Sequence, residues 1–251
     1  MVNQGSGILR IGTSGIVVPG NKKSFPAEFQ LKSRLNYYSS LFNTLEVNST
    51  FQKLPMPSTL LKWSLDVPQE FQFTFKLWRE ITHVKQLKTD LNNIEIFFKA
   101  AENIGNKKAC LLVQFPGSIT AEYSLQVEQI LQKLRQPDDE NQWQKAIEFR
   151  SKTWYNDQTF DLLNKYGVSL VLHDMPKSKN LEFNGPAQFV YCRFHGPKGD
   201  YKGSYSKDFL EEQSEKIRSW LNDGKDVYVY FNNTMGNAFE NAMNLKELLD
   251  E

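Results

Sequence analysis

The chain has 251 residues, room for one large hydrophobic core or two small ones. Thirty Lys and Arg against 29 Asp and Glu leave a formal net charge of +1, which excludes a global field for duplex nucleic acid or an anionic membrane surface. The opening MVNQGSGILRIG holds no apolar leader core and no run reaches the length of a membrane span, so a cytoplasmic protein without membrane contact is expected.

Short runs rich in β-branched and aromatic residues predict strands at 8–14 (ILRIGTS), 44–50 (TLEVNST), 71–76 (FQFTFK) and 110–115 (CLLVQF). Four more follow at 145–150 (KAIEFR), 169–174 (SLVLHD), 189–196 (FVYCRFHG) and 226–233 (DVYVYFNN). Helical spacing of apolar residues marks 31–42, 90–105, 124–135, 207–224 and 237–249. Gly105, Gly167 and Gly224 stand where left-handed residues end helices. Between 175 and 188, MPKSKNLEFNGPAQ has two prolines and a glycine and no helical pattern, so an irregular sixth crossover is expected. Cys110 and Cys192 lie inside apolar runs and read as reduced core thiols. Strands alternating with helices predict an α/β fold, a single (β/α)8 TIM barrel in one domain over 1–251 with its core at about 8–249. An open doubly wound sheet shares the alternation, but GTSGIVVPG after the first strand has the wrong glycine spacing for a dinucleotide turn.

Strand alternation shows which faces are polar. The first strand offers Arg10, Gly12 and Ser14, the second Glu46 and Asn48, the third Thr74 and Lys76, the fourth Gln114, and the fifth Glu148 and Arg150. The seventh offers Tyr191, Arg193 and His195, and the eighth Tyr228, Tyr230 and Asn232. The sixth is ambiguous, because His173 and Asp174 are neighbours on opposite faces. The apolar faces pack under helices, so the polar set converges inside, toward the C-terminal strand ends where barrel enzymes build their sites. Interior ion pairing alone explains one Arg–Glu pair; many strands contributing together point to a ligand site. Arg10, Lys76, Arg150 and Arg193 against Glu46 and Glu148 leave an excess of cations for an anion to balance. The loop HGPKGDYKGSYS (195–206), with its glycines, lysines and the Tyr205 hydroxyl, reads either as a phosphate loop or as a flexible surface loop. Gly236 either admits a ligand close to the backbone or belongs to an ordinary helix start.

The runs GTSG (12–15), FNTLEVNSTF (42–51), ITH (81–83), AIEFR (146–150), FVYCRFHG (189–196) and VYVYFNN (227–233) together resemble the YecE-like family, the domain of unknown function numbered seventy-two. The likeness runs from about residue 8 to 249 and implies a TIM barrel with a polar cavity, without an established reaction. Departures cluster near the presumed mouth. Ile16 replaces an aromatic, Ser151, Lys152 and Thr153 precede a retained Trp154, Phe51 to Pro55 read FQKLP, and His173 stands where a small residue is usual. Trp154 either stacks on a ligand or caps the core.

The leading reading is an enzyme acting on a small anionic metabolite, carboxylate or phosphate. Glu148 or Glu46 would be the general base with His195 or Asp174 as partner, while Lys76, Arg150 and Arg193 hold developing negative charge. Ser14, Asn48, Gln114, Tyr205, Tyr230 and Asn232 complete the expected ligand contacts. A glycosidase is disfavoured because each carboxylate has a cation that opposes a raised pKa. A divalent-metal isomerase or phosphodiesterase has Glu46, Glu148, Asp174, His173 and His195 as ligand types, but the inner cations repel a metal. From another class comes a barrel that binds an anion or nucleic-acid fragment without turnover. No cofactor and no metal ligand is assigned, no duplex partner is expected, and the oligomeric state stays open.

Overall fold

The first strand, β1 (Leu9–Thr13), is followed by β2 (Thr44–Val47), β3 (Gln72–Lys76), β4 (Lys108–Phe115) and β5 (Gln144–Phe149) in the computed structural model, which describes residues 6–138 and 140–250. The chain continues through β6 (Ser169–Leu170), β7 (Leu172–His173), β8 (Phe189–Phe194) and β9 (Asp226–Phe231). Residues 1–5, where the opening stretch begins, and residues 139 and 251 lie outside the described residues. The helices are α1 (Arg34–Leu41), α2 (Ser49–Gln52), α3 (Pro57–Asp66), α4 (Arg79–Thr82) and α5 (Asn92–Ala101), then α6 (Ser124–Arg135), α7 (Asp157–Tyr166), α8 (Lys207–Asn222) and α9 (Ala238–Asp250). Side-chain caps start several of them: Ser33, Asn156 and Ser206 each accept a backbone N–H three residues on. Gly167 ends α7 in the left-handed conformation, as its position predicts. Among the described residues no helix is long and apolar enough to cross a membrane.

All strand pairings between named strands are parallel and form two sheets, ordered β1-β9-β8-β7 and β2-β3-β4-β5-β6. The strand expected at 169–174 is broken at Val171. Its first half pairs with β5 and its second with β8, so the chain passes from one sheet to the other there. At the opposite edges, β1 and β2 meet through one parallel bridge, Ser14 to Glu46, with the Gly15 N–H donating to the Glu46 carbonyl at 2.8 Å.

Below that bridge side chains replace the ladder. The Asn43 amide accepts from Ile11 N–H at 3.0 Å and donates to Leu9 C=O at 2.8 Å. The buried Tyr38 hydroxyl accepts from Thr13 N–H at 2.8 Å and donates to Thr44 C=O at 3.1 Å. Gly12 is required beside them, because a Cβ there would lie 2.3 Å from the Thr44 oxygen and 2.7 Å from the Tyr38 hydroxyl.

Two apolar clusters result. The larger joins the outer strand faces (Leu45, Phe73, Phe75, Val113, Ile147, Val229) to helix residues such as Leu60, Ile130 and Leu245. The smaller is built from Ala109, Cys110, Leu112, Ala146, Val171, Phe189, Tyr191, Tyr228 and Tyr230, so the helix-free faces of both sheets pack on one another. Cys110 and Cys192 are both buried free thiols, and burial pushes Cys192 up to about 12.

The sixth crossover carries no helix, as its prolines suggest. Asn180 straps it to His173 and Val171 by backbone and side-chain hydrogen bonds, and Asn184 bonds Leu170 N–H and Val168 C=O. The missing helix leaves a lateral cavity of about 590 Å³ on the outer face, lined by Leu172, Phe183, Cys192, Phe209, Lys216 and Trp220 among others.

Tyr38→Phe removes one hydroxyl and leaves Thr13 N–H and Thr44 C=O without their partner. A loss of roughly 1–3 kcal/mol in unfolding free energy is expected in urea titrations, with unchanged circular dichroism; an unaltered midpoint would contradict the seam.

Candidate functional site

The polar side chains predicted from alternation do occupy the helix-free face, and they stack in layers. Below the charged groups, Tyr230 is fully buried and its hydroxyl meets Thr44 Oγ1 at 2.8 Å and Thr74 Oγ1 at 2.7 Å. Above it lies an ion-pair lattice. Arg193, 1% exposed, presents Nη2 to Glu46 Oε1 at 2.7 Å, Nε to Glu46 Oε2 at 2.9 Å and Nη1 to Glu148 Oε2 at 2.7 Å. Tyr191 donates to Glu46 Oε2 at 2.6 Å, and Arg150 Nε bonds the other oxygen of Glu148. Each carboxylate oxygen therefore has a donor, which buried charge requires.

Burial works to raise both carboxyls, but the guanidinium charges outweigh it. Glu46 is held below the usual range by Arg193 and by hydrogen bonds that include Tyr191. Glu148 is held well below it by Arg150, Arg193 and the two histidines.

His195, fully buried, receives Arg150 Nη2 at 3.0 Å and Arg193 Nη1 at 3.3 Å on its Nε2. Those donors require the Nδ1–H tautomer, which faces Asp174 Oδ1 at 3.2 Å. Burial holds His195 below the ordinary histidine value despite Asp174. Asp174 also accepts the His195 backbone N–H at 2.8 Å and the Tyr205 hydroxyl. The ambiguity of the sixth strand is resolved by where it stops: β7 ends at His173, which turns inward, and Asp174 reaches the same cluster from the rim. His173 Nε2 lies 3.0 Å from the Tyr155 hydroxyl, and burial, with the neighbouring arginines, brings its pKa to about 4 against the pull of Glu148.

At the strand ends Lys76 is the cation outside the lattice. Its Nζ bonds Gln114 Oε1 at 2.7 Å and lies 4.2 Å from the centre of the Phe51 ring. Burial first, then Arg193, lowers it to about 8, while Glu148 and Glu46 pull the other way. Gln114 continues to His83 Nε2 at 3.5 Å; burial and the Lys76 charge bring His83 to about 4. The Asn48 Oδ1 atom is buried without a hydrogen-bond partner, and the Ser14 hydroxyl lies beside Glu46 outside hydrogen-bonding geometry.

Several expectations need correction. Arg10 is not part of this cluster: it sits at the other strand end, registered with Tyr228, and bonds the Glu70 carbonyl at 3.1 Å. With Arg10 gone and Asp174 present, Lys76, Arg150 and Arg193 face Glu46, Glu148 and Asp174, so the expected surplus of cations disappears. Trp154 does not reach a ligand; it is 1% exposed, stacks on Phe149 at 4.1 Å and donates to Ile119 C=O at 2.8 Å. Gly236 admits the chain's own backbone, since a Cβ would lie 2.4 Å from the Gly203 oxygen.

Tyr205 packs on Phe209 and serves Asp174, while Asn232 is 8% exposed and its N–H bonds Phe194 C=O at 2.7 Å. Sequence reasoning left out His83, Phe51 and Tyr155. The only signal for them was the ITH run and an aromatic after the second strand, both on short helical turns without a period. Among the described residues no three His, Cys, Asp or Glu side chains are grouped to hold a metal ion.

Comparison with known proteins places this geometry. The chain belongs to the family described as protein of unknown function DUF72, whose model matches residues 10–251. It is 24% identical over 257 residues to the UPF0759 protein YunF of Bacillus subtilis (strain 168), covering 90% of both chains. A DUF72 family protein of Thermotoga maritima MSB8 is 26% identical with a TM-score of 0.77, over 97% of this chain and 100% of that one. One from Enterococcus faecalis V583 is 21% identical with a TM-score of 0.78, over 98% of each.

Glu148→Gln leaves two guanidiniums short of a carboxylate, so a loss of about 3–5 kcal/mol is expected by denaturant titration; a loss below 1 kcal/mol would contradict the lattice. The folded chain keeps His173 and His83 neutral to about 4, whereas free histidine protonates near 6.5. Between those values the unfolded state binds more protons, so stability rises with pH. The two lattice carboxyls titrate below their ordinary 4.5, so their contribution is complete above that value and lost as pH falls further. Urea midpoints should climb from about pH 4 to 6.5, less steeply in His173→Gln; a flat profile would refute the assignment.

Proposed function

We propose that the two sheets are the halves of one closed eight-stave TIM barrel, a single domain, and that the chain is an enzyme binding a small carboxylate- or phosphate-bearing metabolite at the C-terminal strand ends. The family likeness and the meeting of the sheets at both edges support the barrel. The observation that carries the site is Lys76, a half-buried ammonium at the end of β3 with no carboxylate in salt-bridge range among the described residues. Asn48 follows Val47, whose register partner is Phe75, so Asn48 and Lys76 are neighbours on one face.

An anion takes the Lys76 charge, and a ligand hydroxyl satisfies Asn48 Oδ1 and Ser14 Oγ. Arg150, anchored through Nε to Glu148, offers a second cation from β5's end. Glu46 and Glu148 have every oxygen engaged and stay ionised. They are read as the floor that orients Arg193 and Arg150, which leaves less room for either as the general base.

Calorimetric titration with inorganic phosphate and small hydroxycarboxylates tests the reading. Lys76→Met should weaken binding at least about tenfold, or ~1.4 kcal/mol. No heat with any anion would remove the proposal, and binding without turnover of any bound compound would make the barrel a binding module.

A further inference from the structure

We propose that Lys76 Nζ is a nucleophilic amine that forms an imine with the carbonyl carbon of a small anionic aldehyde or ketone. This rests on the anion-site reading above and names its substrate class. Three features of the geometry single out Lys76.

The first is its freedom from ion pairing. Arg193 and Arg150 are each tied to carboxylates, whereas the partners of Lys76 Nζ are a neutral amide oxygen and an aromatic face. An ammonium without a carboxylate partner loses its proton without breaking a salt bridge, which a nucleophilic lysine requires. The second is its setting. Glu46 from β2, Glu148 and Arg150 from β5, Arg193 from β8 and His83 after α4 surround it, and burial with Arg193 brings it to about 8. About a tenth of the side chain is then free amine at neutral pH, several hundred times the fraction for an ordinary lysine. The third is Phe51, 4.2 Å from Nζ. Its ring face favours a cation and so retains the positive iminium where the ammonium stood.

The step balances without oxidant or reductant. The ammonium gives a proton to water, and the nitrogen lone pair forms the C–N bond as the carbonyl π pair moves to oxygen, which takes the second proton from that nitrogen and leaves a neutral carbinolamine. The nitrogen lone pair then closes C=N as the C–O bond breaks, and the hydroxyl leaves with a proton as water. Arg150 and the unpartnered Asn48 and Ser14 atoms hold the anionic and hydroxyl parts of the substrate meanwhile.

The test is reductive trapping. Purified protein is incubated with glyoxylate or pyruvate and cyanoborohydride, acetone serving as the uncharged probe, and adducts are located by peptide mass spectrometry. One adduct is expected at Lys76, forming about tenfold or more faster than at any exposed lysine, faster with the anions than with acetone, and half-maximal near pH 8. It should vanish in Lys76→Arg and Lys76→Met, both checked for folding by circular dichroism. Adducts scattered over exposed lysines, with Lys76 no faster, would overturn the imine. Phosphate calorimetry on the same sample separates the causes: binding with no Lys76 adduct sinks the imine alone, and neither sinks the anion site as well.

Discussion

Arg193 is the residue on which the interior depends. Standing on the first sheet, it reaches two carboxylates on the second, Glu46 and Glu148, and binds both through Nε, Nη1 and Nη2. An apolar filling would pack the same space at no electrostatic cost, since buried ion pairs gain little net free energy over hydrophobic groups. What the lattice supplies is geometry. Its charges fix how the two sheets face one another and hold Arg150 and His195 in single orientations around Glu148. The side chains at the strand ends above are thereby held by the lattice in defined positions.

Alternation along each strand revealed the inner face correctly, because a period of two has no other reading when one face packs under helices. Glu46, Lys76, Gln114, Glu148, Arg150 and Arg193 were all visible in that way. Height along the strands was not. Arg10 shares the face of Ser14 but lies one strand length below it, and only the register with Tyr228 shows this. His173 and Asp174 escaped for a different reason: β7 ends at His173, so strand alternation does not reach Asp174. His83 and Phe51 sit on turns with no periodicity at all, so their approach to Lys76 comes entirely from tertiary packing.

The glycine-rich loop at 195–206 reads in sequence either as a phosphate loop or as a flexible surface loop, and its Tyr201 and Gly203 carbonyls accept the Met235 and Asn237 N–H groups of the loop after β9. The aromatics near it, Tyr205 and Phe209, stack together under Phe194. The lateral cavity lies beside the sixth crossover and the ends of β7 and β8, and His173 and Asp174 line it together with Leu172, Phe183, Cys192 and Trp220, so its wall includes two members of the polar cluster at the strand ends.

The seam between β1 and β2 has a further effect. A regular parallel ladder is indifferent to a slip of two residues, because every backbone repeats the same donors and acceptors. Asn43 and Tyr38 are addressed to particular atoms of Leu9, Ile11, Thr13 and Thr44, and a slipped strand would find neither. Two side chains thus act as a key for the first strand's alignment, and by setting Ser14 level with Glu46 they decide which rung of the ladder the ionic floor occupies.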